Sequence, residues 1–154
     1  MTINISGFGT KAILRASISF PTGFTISQWA HDVDPIEINE LPVGDGEMNV
    51  NGTLVTWSKA TRVEVNLSVV PTSQDDVNLS ILLNAARPGV GKLVIPDLMT
   101  LILIYPITSL FSRPRTFTYT NGKIISGTLG NALTSTGMLK SKTYNFIFEQ
   151  VSPA

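Results

Sequence analysis

The stretch VEVNLSVVPTSQDDVNLSILLNAARPG, residues 63–89, decides how the chain is read. Its start alternates strictly, with Val63, Val65, Leu67 and Val69 on one side and Glu64, Asn66 and Ser68 on the other. One step along a strand reverses the face, so this is a strand with one apolar and one polar surface. A helix follows Pro71. Ser73 is placed as its N-cap, and Asp76 three residues on approaches a capping box. Asp75 and Asp76 occupy the first turn, where the helix dipole favours acids. Val77, Ile81 and Ala85 recur at helical spacing with Leu82 beside them, which predicts an apolar stripe on that side. Arg87 and then Pro88-Gly89 end the helix, expected over residues 74–86. A helix so short, with so narrow a stripe, is marginal alone and must pack on a sheet.

The same alternation recurs on either side of this unit. KTYNFIFEQ, residues 142–150, sets Tyr144, Phe146 and Phe148 against Thr143, Asn145 and Glu149. TLVTWS, residues 53–58, is rich in strand formers. KAILRASISF, residues 11–20, alternates only loosely, with Ile13, Ile18 and Phe20 among Lys11, Arg15, Ser17 and Ser19. LMTLILIY, residues 98–105, is apolar on both faces and predicts a central strand covered on both sides. Asn121-Gly122 stands between RTFTYT and KIISGT. Asn-Gly between strand patterns predicts a hairpin, because both turn positions need positive φ. A short strand is expected around residues 36–38, then a loop through PVGDGE within residues 42–52. No repeat, low-complexity tract or linker interrupts the sequence. Residues 1–154 are therefore expected to form a single domain, mainly β: a β-sandwich or split barrel of antiparallel sheets with one flanking helix.

Composition narrows the function. Of the 154 residues, 43% are hydrophobic and only 14% charged, against about 25% charged in an average soluble domain. Such a surface is either neutral and polar, as in NALTSTG, or covered by neighbouring subunits. The formal net charge is zero. That argues against tight nucleic-acid binding, which needs a basic excess, though not against a wall past which DNA slides. There is no cysteine, hence no disulfide framework and no thiolate metal site. The N-terminal residues lack the basic start and apolar run of a secretory signal. The most apolar region, residues 93–111, contains Asp97 and is broken by Pro96 and Pro106. Its uninterrupted part is too short to cross a bilayer.

Catalytic and metal constellations are weak. The one histidine, His31, lies in HDVDP with Asp32 and Asp34. Three such groups within one turn-like segment read as a solvated acidic turn, since metal ligands come from separate, supported elements. No serine sits in a Gly-x-Ser-x-Gly elbow that His31 could serve. RPGVGK, residues 87–92, lacks the glycine spacing and the Ser or Thr of a phosphate loop, and its helix precedes the glycines. Asp45 and Glu47 lie in glycine-rich sequence with nothing to tune them as acid and base. No enzyme activity, cofactor or metal is expected.

A β protein with few charges must hide its sheet edges. Joining subunits edge to edge in a closed ring does so, and the polar strand face can then line a lumen. A monomeric sandwich with one wet face is the other solution. GDGEMNVNGTLVTWSKATRVEVNLSVVPTSQDDVNLSILL, residues 44–83, resembles the tail-tube proteins of contractile-tailed bacteriophages, in which a GxDGE-like segment precedes a strand pair and an S/T-x-x-x-D-x-L start opens the helix. INISGFGTKAILRAS and GNALTSTGMLKSKTYNFIFE are similar to phage tail proteins described loosely as tail-fibre or structural proteins.

The resemblance implies a tail-tube-like fold and a virion structural protein, assembled in the host bacterial cytoplasm. It implies a homo-hexameric ring of the tail tube or its baseplate-proximal end, as tube initiator or ripcord. The ring would stack on other tube or baseplate hub proteins inside the contractile sheath, with DNA passing through unbound and no membrane partner. The positions expected to face the lumen are Glu64, Asn66 and Ser68. Such lumens tend to be acidic, and here only Glu64 is. Val43, Asp45 and Glu47 are expected to contact a neighbouring subunit. The alternative is a monomeric β-sandwich binding module, such as a tail-fibre accessory protein, with Trp29 and Trp57 available to stack on sugars.

Overall fold

Alternation in the sequence becomes nine strands and one helix in the computed structural model, which describes residues 6–106 and 115–153. The strands are β1 Lys11–Ala16, β2 Phe20–Ile26, β3 Ile36–Ile38, β4 Gly44–Met48, β5 Leu54–Ser58, β6 Val63–Val69, β7 Met99–Tyr105, β8 Arg115–Ser126 and β9 Lys142–Pro153; the helix is α1 Gln74–Ala86. Seven strands form one antiparallel sheet in the order β2-β1-β7-β8-β9-β6-β3, and β4 pairs only with β5. The sheet rolls upon itself. Chain leaving β2 reaches the far side, where Trp29 bridges Val69, the Ala30 amide donates to Ser68 O and the Val70 amide to Gln28 O. The result is a split barrel, mainly β with a single helix, rather than two stacked sheets.

The core fills the inside of this roll. Val63, Val65, Leu67 and Val69 of β6 meet Tyr144, Phe146 and Phe148 of β9, as alternation predicts. On β1 the buried face is Ala12, Leu14 and Ala16. Ile13 points outward and Ile18 lies exposed beyond the strand, so the bulkier residues of that stretch do not mark its core side. β7 is central but not covered on both sides: Met99, Leu101 and Leu103 are buried, whereas Thr100, Ile102 and Ile104 are half-exposed on the outer face. The end of the apolar region, residues 107–111, lies outside the described residues.

Asn121-Gly122 makes no hairpin. Both flanking segments belong to β8, because β9 pairs with it on both sides of the dipeptide, from Phe117 to Ser126. Asn121 takes φ 54° at a bulge against β7. Gly122 lies beneath the Phe148 ring, in space a Cβ would share with it. The chain's other Asn-Gly does turn. Residues 42–52, expected as a loop, contain β4 and the turn of a β4–β5 hairpin; Gly52 has φ 80° and its amide donates to Asn49 O. Asn49 Oδ1 holds that turn by accepting from the Asn51 and Thr53 amides.

Helix α1 starts as the sequence predicts, with Ser73 Oγ accepting from the Asp76 amide. Its rotation differs. Leu79 and Leu82 are buried with Leu83 and Ala86 against the core, while Val77 and Ile81 are exposed. The two acids set this rotation, because both are buried. Asp75 Oδ2 accepts from the Ser27 and Gln28 amides at 2.9 Å each, fixing the chain beyond β2. Asp76 Oδ1 accepts from Tyr144 Oη at 2.7 Å and pairs with Lys142 Nζ at 3.1 Å, while its Oδ2 takes the Thr72 amide. Ser80 Oγ completes the cluster against Tyr144 Oη. Among the described residues, no buried side-chain nitrogen or oxygen lacks a partner.

Two substitutions one residue apart test the face assignment. Val65→Asp is expected to prevent folding, since it buries an unpaired carboxylate at a cost of several kcal/mol. Asn66→Asp is expected to fold, and equal soluble yield and melting temperature for the two would refute the alternation. Lys142→Met strands the Asp76 charge, and breaking a buried pair costs about 3–5 kcal/mol. Tyr144 and Thr72 still bond Asp76, so a loss near the lower figure in chemical denaturation is expected; a loss under about 1 kcal/mol, the scale of an exposed pair, would mean water reaches the site.

Candidate functional site

Among the described residues, no three metal-ligating His, Cys, Asp or Glu side chains come together. His31, Asp32 and Asp34 are exposed. Asp32 accepts from the Ser141 hydroxyl, which holds its carboxyl below the usual carboxylate value. Residues 87–92 close a helix end and a tight turn, in which Gly89 bridges Lys92. Trp29 is packed on the core with its Nε1 donating to Thr10 O at 2.8 Å. It is partly buried there, unlike the exposed Trp57.

Two surfaces stand out instead. The first is an arm. Every residue from 37 to 60 is exposed, including both strands of the β4–β5 hairpin. Val43, Met48, Val50, Leu54, Val55 and Trp57 all present apolar side chains to solvent. Cross-strand pairing puts Asp45 opposite Trp57 and Glu47 opposite Val55, so these four share one face. Asp45 pairs with Lys59 at 3.1 Å, and Val43 O accepts the Lys59 amide at the arm's base. The expected contact residues Val43, Asp45 and Glu47 thus lie on one projecting element. About eight residues per side at roughly 3.4 Å each give it a reach of ~27 Å.

The second is the outer face of the rolled sheet. Glu64 and Asn66 lie on it. Glu64 pairs with Arg62 at 2.8 Å and accepts from Asn39 Nδ2, while Asn66 stands between Glu37 of β3 and Asn145 of β9. Ser68 does not reach this face. It is 3% exposed, hydrogen-bonded to Thr143 Oγ1 at 2.8 Å and covered by the chain at residues 28–35. The strand's polar side runs beneath that crossing chain at its far end, which removes Ser68 from any open surface. Register adds residues that were not among the expected lumen positions: Ile13, Ile102 and Thr118 in one row, and Lys11, Ile104 and Thr116 in the next. Lys123 and Ile147, in register with Glu64, line the recess beside α1 instead. Thr116, Thr118 and Thr120 alternate in RTFTYT, and that period was the available signal.

Three aromatic hydroxyls sit within or against the core. Burial raises Tyr105, and burial with the neighbouring Tyr105 charge pushes Tyr119 up to about 12. Burial raises Tyr144 further; the Ser80 hydrogen bond opposes this and Asp76 reinforces it.

Residues 3–152 match the family described as Tail fiber protein gp32. No curated protein matches the chain. Three solved structures share its fold over 100% of its length. A chain of the six-fold symmetrised baseplate of the anti-feeding prophage is 11% identical, 97% covered, with a TM-score of 0.58. The tube-terminating cap of the anti-feeding prophage is 11% identical, 93% covered, at 0.63. The PVC sheath/tube terminator of an extracellular contractile injection system, in its extended state, is 13% identical, 97% covered, at 0.53. At these identities the likeness is one of fold.

The raised tyrosines predict alkaline behaviour. Folding favours the neutral phenol, so this stability is complete below the unfolded value of about 10 and is lost as pH rises through the folded values. Phenolate absorbance of the folded protein is expected to develop above ~10, and that of the denatured chain near ~10. A full tyrosine equivalent ionising at the ordinary value while the fold is intact would contradict the packing.

Proposed function

The chain belongs to the Tail fiber protein gp32 family, and from that premise we propose a structural subunit of a phage tail that assembles as a homo-hexameric ring in the tail tube or at its baseplate-proximal end. The carrying observation is the arm. A two-stranded hairpin is marginal in water at best, and here its strands bury nothing in their own chain. Its apolar side chains form the kind of patch that marks a protein contact. A neighbouring subunit supplies the missing cover, with Val43, Asp45 and Glu47 at the contact. A chain in which only 14% of residues are charged suits a subunit enclosed by others.

In this reading the outer sheet face, with Glu64 and Asn66, borders the channel. Rings stack on other tube or baseplate proteins, with the sheath outside. DNA passes without being gripped, because a neutral chain releases few counterions. The protein acts in the virion after assembly in the host cytoplasm, as tube initiator or ripcord, and performs no catalysis. The family's description favours a second reading, a monomeric fibre-associated module. Trp57, 44% exposed on the arm, is the aromatic available to it.

Native mass spectrometry over a rising concentration series separates the two. A dominant six-copy species is expected, and its removal by deleting residues 44–58. A monomer that persists at every concentration would favour the fibre module and overturn the ring.

A further inference from the structure

The arm has a matching recess on the same chain. Between the end of α1, the segment 94–98 and the β8–β9 ladder lies a groove of about 480 Å³. Leu82, Ala86, Val94, Ile95 and Ile147 make it apolar, and Lys123 and Glu149 stand at its polar side. Its rim is apolar too, with Leu93 and Leu98 exposed beside it. The segment that forms the rim is fastened from both ends. Ile95 N donates to Ala85 O, and Asp97 accepts from the Ile18 and Ser19 amides and from Ser19 Oγ. The groove is therefore a formed feature, tied down on two elements.

We infer that this groove receives the β4–β5 arm of a second copy of the chain, with Trp57 and Val55 entering it and Glu47 meeting Lys123. The inference rests on the ring reading above and names the surface that completes it. Three observations choose this occupant. First, charges complement. Among the described residues, Glu47 has no cation partner and Lys123 no carboxylate partner, whereas Asp45, Glu64 and Asp76 all have theirs. Second, polarity complements. The arm face sets Trp57 and Val55 opposite two acids, and the groove has an apolar floor with Arg62 and Lys123 among its charged lining, beside Asp97 and Glu149. Tryptophan is enriched among the interface anchors that fill desolvated pockets. Third, the two halves adjoin. Arg62, at the foot of the departing arm, also lines the groove. An arriving arm would thus lie beside a departing one. Arm into groove is a head-to-tail contact, which repeats from copy to copy and closes as a ring when the rotation allows.

The test uses the full chain with photoreactive benzoyl-phenylalanine in place of Trp57, mixed with an equal amount of isotope-labelled wild type. After irradiation, cross-linked peptides are mapped and the isotope pattern separates links between chains from links within one. Links between chains are expected on residues 94–98, 121–123 and 147–149. Lys123→Glu is expected to weaken self-association about tenfold, as a like charge set against Glu47 would, and adding Glu47→Lys to restore it. Links between chains that fall elsewhere, with oligomers still present, overturn the groove while leaving the ring reading standing. Links confined to one chain show that the arm folds into its own groove, and they overturn the inference. Absence of both oligomers and links between chains overturns the inference and the ring reading together.

Discussion

The rotation of α1 depends on Asp76 being buried against Lys142. At 3.1 Å, with Tyr144 Oη at 2.7 Å on the same oxygen, this pair joins the first turn of the helix to β9. Its neighbour Asp75 joins the same turn to the chain beyond β2. Residues 75, 76, 79, 82, 83 and 86 then form one inward stripe of α1. A buried ion pair gains little net stability, since desolvation offsets its attraction. What it adds is uniqueness. Apolar residues occur on both sides of α1, so hydrophobic burial alone would accept either face. Two carboxylates that need partners accept only the face on which Ser27, Gln28, Thr72, Lys142 and Tyr144 supply them.

That constraint explains what the sequence did and did not disclose. Strict alternation in residues 63–69 and 142–148 was sufficient for β6 and β9, because both strands bury one face and wet the other. The N-cap at Ser73 was legible from local chemistry alone. The helical stripe was not. Val77, Ile81 and Ala85 have the right spacing, and only partners 47 to 68 residues away in the chain reverse the choice. Asn-Gly behaved in the same way. At residues 51–52 no third strand competes and the dipeptide turns, whereas at 121–122 the long β9 ladder captures both flanks and Phe148 covers the glycine. Ser68 kept the period of its strand and lost its exposure to a crossing segment, which periodicity does not report.

The arm and the groove are two forms of one imbalance. This chain places its best-matched polar groups inside, at Asp75 and Asp76, and leaves apolar side chains outside, at Val50, Leu54, Trp57, Leu93 and Leu98. A free monomer would reverse that order. In the proposed ring, neighbouring copies would remove those side chains from water. The outer sheet face carries threonines, isoleucines and a few paired or single charges.

Electron cryomicroscopy of the intact tail tests this account most directly. The account predicts a closed ring of six copies coaxial with the tube, the outer face of each rolled sheet turned to the channel and each arm laid on the next copy. Isolated copies on the outside of a fibre, with arms free in solvent and no contact between rolled sheets, would contradict it.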